Sequence, residues 1–167
     1  SGLVLRSSFG IDYDGSFIHS INKTFHSDIV NNDKASTTLS HANEMRWNWT
    51  NTATYSFDFL KNHHINALLG FETYSDTRID FSAYSEGFDE ETLNYMWPDA
   101  ATGNARNNGY KSGYALVSLF GKIDYNWNDL ILASVTVRRD GSSRFGKANQ
   151  FATFPAASLG YRFSRHF

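Results

Sequence analysis

Apolar and polar residues alternate through six long stretches of this 167-residue chain, and no stretch shows a sustained helical period. A period of two puts successive side chains on opposite sides of an extended backbone. The pattern therefore specifies strands with one apolar and one polar face. In the first stretch, residues 3–13, Leu3, Leu5, Phe9, Ile11 and Tyr13 share a face opposite Arg6, Ser8 and Asp12. The second, 46–59, sets Trp47, Trp49, Ala53, Tyr55, Phe57 and Phe59 against Asn48, Thr50, Thr52, Thr54, Ser56 and Asp58. The third, 64–84, opens with Ile65, Ala67, Leu69 and Phe71 against Asn66 and Glu72. The fourth, 113–126, sets Ala115, Val117, Leu119, Ile123 and Tyr125 against Ser118, Lys122 and Asp124. The fifth, 130–139, sets Ile131, Ala133, Val135 and Val137 against Ser134, Thr136 and Arg138. The sixth, 151–163, sets Phe151, Ala157, Leu159, Tyr161 and Phe163 against Ser158, Gly160 and Arg162.

These strands exceed the roughly 5–6 residues of an ordinary strand and reach the roughly 9–11 that cross a bilayer at a tilt. The connections sort by length. Long polar loops are expected over 14–45 and 85–112, short turns at 60–63 and 127–129, and an intermediate loop over 140–150. Short turns thus fall at one end of the sheet and long loops at the other, as in outer-membrane barrels. Phe57, Phe59, Tyr125, Trp127, Tyr161 and Phe163 lie beside the short turns, where a barrel carries an aromatic girdle.

Composition agrees. Aromatic residues make up 16% of the chain, an excess suited to strands rather than to a soluble enzyme. Mean hydropathy is −0.45 and no apolar run approaches the length of a membrane helix, which leaves a β-barrel open because alternation hides its apolar half. A net charge of −2 gives no argument for nucleic acid. The absence of cysteine excludes disulfides, cysteine-ligated metal and thiol chemistry.

The residues offer little for catalysis, and an enzyme is not expected. His63 and His64 face opposite ways on a strand, so a shared metal is disfavoured. His19, His26 and His41 lack ligand-like spacing. Asp89-Glu90-Glu91 lacks a calcium-loop pattern and reads as a solvated acidic loop. No cofactor is implied. Arg138, Arg139, Arg144 and Lys147 form a basic cluster that is either an anionic ligand site or part of a structural hairpin with Asp140. The hairpin is the favoured reading, with Phe154-Pro155 opening its return strand where a missing N–H is tolerated.

The segment Arg138-Arg139-Asp140-Gly141-Ser142-Ser143-Arg144-Phe145-Gly146, followed by Phe154-Pro155-Ala156-Ala157-Ser158-Leu159-Gly160-Tyr161-Arg162, resembles the signature of the SusC/RagA family of TonB-linked outer-membrane transporters. The family often carries Trp where Tyr161 stands. Residues 51–59, 63–72 and 118–127 extend the resemblance over most of the strand-forming sequence, whereas the two long loops show little that matches.

The resemblance implies an all-β fold: an antiparallel meander of about six long strands, forming part of a large plugged barrel in the bacterial outer membrane. It implies import of oligosaccharides or peptides, a SusD-like lipoprotein partner and energy from the TonB complex. Nothing in the chain resembles a plug, a TonB box or a signal peptide. Tyr161–Phe167 is read as a truncation rather than a terminal insertion signal. Isolated, such a sheet is expected to aggregate or to need detergent. On the bilayer reading, Arg6, Asp12, Asp58, Glu72, Lys122, Asp124, Arg138 and Arg162 line a wet lumen. Two alternatives stand. One is a soluble β-sandwich carbohydrate-binding module using Tyr95, Trp97 and Tyr110. The other is a small independent outer-membrane barrel. Arg138, Arg144, Trp97 and Tyr95 are the ligand-binding candidates.

Overall fold

A computed structural model describes residues 2–146 and 149–163. Lys147 of the basic cluster and Phe167 at the end of the chain lie outside the described residues. Among the described residues six strands run in chain order through one sheet, each beside the next: β1 (Gly2–Asn22), β2 (Ser36–Phe59), β3 (His63–Glu86), β4 (Ala105–Trp127), β5 (Ile131–Ser142) and β6 (Phe151–Tyr161). A 3-10 turn, Pro98–Ala100, sits in the connection from β3 to β4. The expected antiparallel meander of six long strands is therefore present. The described residues form no second sheet to cover it, as a sandwich would require.

Three strands, β1, β2 and β4, run much further than alternation suggested. Most of 14–22, 36–45 and 105–112, expected as loop, is strand, and the long connections shrink to residues 23–35 and 87–104. Both faces of these extensions are largely polar, so hydropathy gives them no period. The backbone ladder between neighbours needs none, because paired N–H and C=O groups stabilise it whatever the side chains.

The chain divides into two compact units. The first holds the residues up to Ile11, Arg46–Asp76 and the chain from Tyr114 onward, and so contains both short turns, β5 and β6. In the turn from β4 to β5, Asn128 and Asp129 both take positive φ, 53° and 52°. Asn and Asp tolerate that conformation, and the resulting mirror-type turn matches strand twist. Asn126 closes it, accepting from the Asp129 N–H at 2.9 Å and donating to its carboxylate at 2.7 Å. The Asn128 N–H donates to the Asn62 carbonyl at 2.7 Å, joining the two short turns.

β4 and β5 pair from Leu116↔Ser142 to Trp127↔Ile131, and β5 and β6 from Ile131↔Tyr161 to Gly141↔Phe151. Pro155 sits mid-strand opposite Val137 rather than opening β6. Backbone bonds between β5 and β6 join even-numbered residues, Ser142 to Gln150 and Arg162 to Leu130. The nitrogen of Pro155 therefore faces away from β5, where no ladder bond is lost.

The two faces of this unit differ as expected. Leu5, Phe9, Leu119, Ile123, Val135 and Leu159 are exposed on one, Leu159 to 80%. On that face Phe9 lies against Trp47, and Trp49 against Phe71. Near the short turns His63 meets Tyr125, Nδ1 to hydroxyl 2.6 Å, and Trp127. His64 instead pairs with Asp58, consistent with opposite facing of the two histidines.

The second unit, Asp12–Met45 and Thr77–Gly113, holds the two long connections. Met96, Thr37 and Ser85 are fully buried in it. His19 Nε2 lies 2.9 Å from the Thr37 hydroxyl and 3.1 Å from the Met96 carbonyl. The Glu91 carboxylate accepts from the Thr24 N–H at 2.8 Å and its hydroxyl at 2.6 Å, tying one long connection to the other. Gly87, at φ 83°, lets the chain leave β3 sharply, its N–H donating to the Ala35 carbonyl.

Candidate functional site on the polar face

The polar face of the first unit centres on Arg138. Its neighbours in the register are Phe120 on β4 and Phe154 on β6. Nε donates to Asp140 at 2.7 Å, and Nη2 to the buried Ser118 hydroxyl at 3.0 Å and to Glu72 at 3.4 Å. The guanidinium also lies 5.4 Å from the centre of the Phe120 ring. One side chain on β5 is thus held by groups from β3, β4 and its own strand. A planar fork with several fixed donors suits this better than the single ammonium of lysine.

Phe120 is placed by a gap in its neighbour. Its ring occupies the space where a side chain at Gly70 would stand, and Gly70 is buried beneath it. The same device recurs on the other face, where the Phe151 ring lies against Gly141. Aromatic cover of a strand glycine restores the packing that the missing side chain forgoes.

Just beyond, Glu72, Tyr74, Tyr114, Leu116, Ser118 and Arg138 line a cavity of about 260 Å³. The rings of Tyr74 and Tyr114 lie 5.6 Å apart, and the Arg144 guanidinium sits 3.9 Å over Tyr114. Ser143 holds the chain there, its N–H donating to the Ala115 carbonyl and its hydroxyl accepting from the Ala115 N–H.

The structure separates the basic cluster. Arg139 points to the apolar face, 5.1 Å over the Phe151 ring. Adjacent strand residues must diverge in this way, and the sequence pattern already carried that information. Arg138 and Arg144 share the polar face with Glu72 and Asp140, so the cluster is charge-balanced. An anion would compete there with two carboxylates already in place. Of the other signature residues, Ser142 pairs with Leu116, Ser158 with Ser134 and Gly160 with Leu132, while Phe145 is exposed.

The loop aromatics lie in the second unit. Trp97 packs on His19, ring centres 4.9 Å apart, yet Trp97 and Tyr95 each remain 41% exposed. Tyr110 is exposed on β4. The structure does not bring His19, His26 and His41 to one site: His19 meets Met96, His41 meets Phe17 and His26 faces Asp33. Among the described residues no group of three or more His, Cys, Asp or Glu side chains is placed to hold a metal ion.

Sequence reasoning missed the roles of Gly70, Phe120 and Glu72 around Arg138. A glycine in an otherwise regular strand is a signal for close approach, and Gly70 carried it.

No family model matches the chain. It is 30% identical over 179 residues to the TonB-dependent receptor P39 of Formosa agariphila, a match that covers 98% of this chain and 16% of that protein. To the TonB-dependent receptor P26 of the same organism it is 26% identical over 164 residues, 96% of this chain and 16% of that protein. A shorter match, 43% over 53 residues, is to the TonB-dependent receptor SusC of Bacteroides thetaiotaomicron, covering 32% of this chain and 5% of that one. The chain thus spans only about a sixth of the curated relatives that it matches over nearly its full length. The fold matches the RagAB peptide transporter at a TM-score of 0.87 and 24% identity, covering 99% of this chain and 18% of that one. The RagAB peptide importer in its open-open state matches at a TM-score of 0.87 and 25% identity over the same shares. Sequence and fold together make the chain a SusC/RagA-like β-barrel segment of a TonB-dependent transporter.

Proposed function

We propose that this segment is part of the barrel wall of a bacterial outer-membrane importer that takes up oligosaccharides or peptides with a SusD-like lipoprotein, powered through TonB. The observation that carries this reading is the two-faced sheet. One face of its first unit exposes Leu5, Phe9, Ile123, Val135 and Leu159, and the other carries Glu72, Lys122, Asp124 and Arg138. A free-standing sheet with such an apolar face is unstable in water, but lipid outside and a wet lumen inside satisfy both faces. The likeness to TonB-dependent receptors and to a peptide importer supports the same conclusion.

The role of the segment is transport rather than catalysis. The plug, the TonB-contacting segment and most lumen contacts belong to the rest of the whole protein. Arg138 and Arg144 hold the wall together, and the partly exposed rings of Trp97 and Tyr95 are surfaces available to substrate. Envelope fractionation and uptake by the full-length protein test the reading. It predicts outer-membrane location and uptake that stops when the proton-motive force is dissipated or the partner lipoprotein is deleted. Recovery of the full-length protein in the soluble fraction would overturn it.

A further inference from the structure

β4 is longer than the strand that covers its outer edge. The ladder with β5 ends at Leu116↔Ser142, and Ser143 adds one more contact at Ala115. Residues 105–113 extend beyond that point. The direction of their backbone groups follows from parity. At one end the Asn104 carbonyl accepts from the Glu86 N–H of β3; at the other the Leu116 carbonyl is reached by the Thr73 hydroxyl of β3. Even-numbered residues therefore face β3 at both ends of an unbroken strand. Ala105, Asn107, Gly109, Lys111 and Gly113 then turn their N–H and C=O groups outward. Among the described residues no strand pairs with this stretch of edge, and residues 105–111 are all exposed.

We propose that the outer edge of β4 from Ala105 to Gly113 binds an extended acidic peptide by strand addition. A row of alternating donors and acceptors at strand spacing is complementary to another peptide main chain, and an oligosaccharide has no such repeat. Gly109 and Gly113 keep the edge free of side chains where the main chain would approach. Charge selects the acidic class: residues 103–113 carry Arg106 and Lys111 and no carboxylate. These two cations have opposite parity, so an added strand meets one on each face. The proposal rests on the importer reading above and narrows its cargo to peptides.

The test uses the full-length protein in outer membranes, with a photoreactive phenylalanine analogue replacing Tyr110 and a labelled acidic decapeptide as probe. A light-dependent adduct with the peptide is expected. N-methylation of alternate peptide amides, or Gly109→Pro in the protein, should lower its yield about tenfold, the effect of losing one or two backbone hydrogen bonds. Proline at Gly109 leaves the β3 ladder intact because that nitrogen faces outward. Unchanged heat-modifiable migration of the variant checks this. Three outcomes overturn the proposal: no peptide adduct, an adduct indifferent to N-methylation and to Gly109→Pro, or an adduct to another segment of the same chain. If peptide uptake persists in any of these cases, the importer reading survives. If the unmodified protein takes up neither peptide nor glycan, the importer reading itself fails.

Discussion

The ring of Phe120 on β4 fills the side-chain position that Gly70 on β3 leaves empty, and Arg138 on β5 lies over that ring. Three neighbouring strands are thereby interlocked on the polar face. Adding one methyl, Gly70→Ala, would overlap the Phe120 ring and displace the seat of Arg138. Overpacking of this kind costs about 1–3 kcal/mol, to be read as a lower unfolding temperature of the detergent-solubilised full-length barrel. A smaller residue at Phe120 should recover part of the loss in the double variant, since the two sites are in contact.

Arg138 and Arg139 are adjacent but unequal. Arg138→Lys removes the planar fork that reaches Asp140, Ser118 and Glu72 together. The groups are half-exposed, so solvent screens the ion pairs, and the expected loss is about 1 kcal/mol. Arg139 stacks on Phe151. Arg139→Lys keeps a cation near the ring and should cost about 0.5 kcal/mol or less. Parallel unfolding curves of the two variants check the ranking.

Acid should loosen the long-loop unit through Glu86, the last residue of β3. The hydrogen bond from Asn104, at 2.6 Å, and that from Lys34, at 3.3 Å, hold its carboxyl below the usual glutamate range. A depressed pKa contributes stability above the unfolded value, and that contribution is lost as pH falls through the folded one. Hydrogen exchange in residues 87–104, corrected for its intrinsic pH dependence, should accelerate on acidification across that range. Glu86→Gln should flatten the response.

The two faces of β5 should tolerate charge differently. Val135→Arg places a cation on the apolar face, where lipid contact makes it cost about 2–4 kcal/mol if it lies near the bilayer midplane. Thr136→Arg, one residue on, enters the polar face beside Lys122 and should be nearly neutral. The level of folded protein in the outer membrane reads the difference.

The legible parts of this fold are those where the environment differs between faces. From Trp47 to Phe59 the alternation is almost unbroken, and the structure places a strand there. From Ser36 to Met45 and Asp14 to Asn22 polar residues occupy both faces, so only the backbone ladder marks the strand. Parity places His63 and His64 on opposite faces, and the same logic separates Arg138 from Arg139. The contacts of Arg138 were not legible, because Glu72 and Ser118 reach it from strands far along the chain. Likewise, nothing local indicates that His19 would pack beneath Trp97.

On the proposed bilayer reading, odd-numbered residues of the first unit's strands face lipid and even-numbered ones face a wet lumen. The segment contains no cysteine, so single cysteines can be introduced through β4 and β5 without background from it. Spin labels at Leu119, Ile123, Val135 and Val137, and at Lys122, Asp124, Thr136 and Arg138, are then compared in the full-length protein in bilayers. High collision rates are expected with oxygen at the first four positions and with a water-soluble nickel chelate at the second four. Equal exposure of both sets to the chelate, or no alternation along β5, would contradict the bilayer reading.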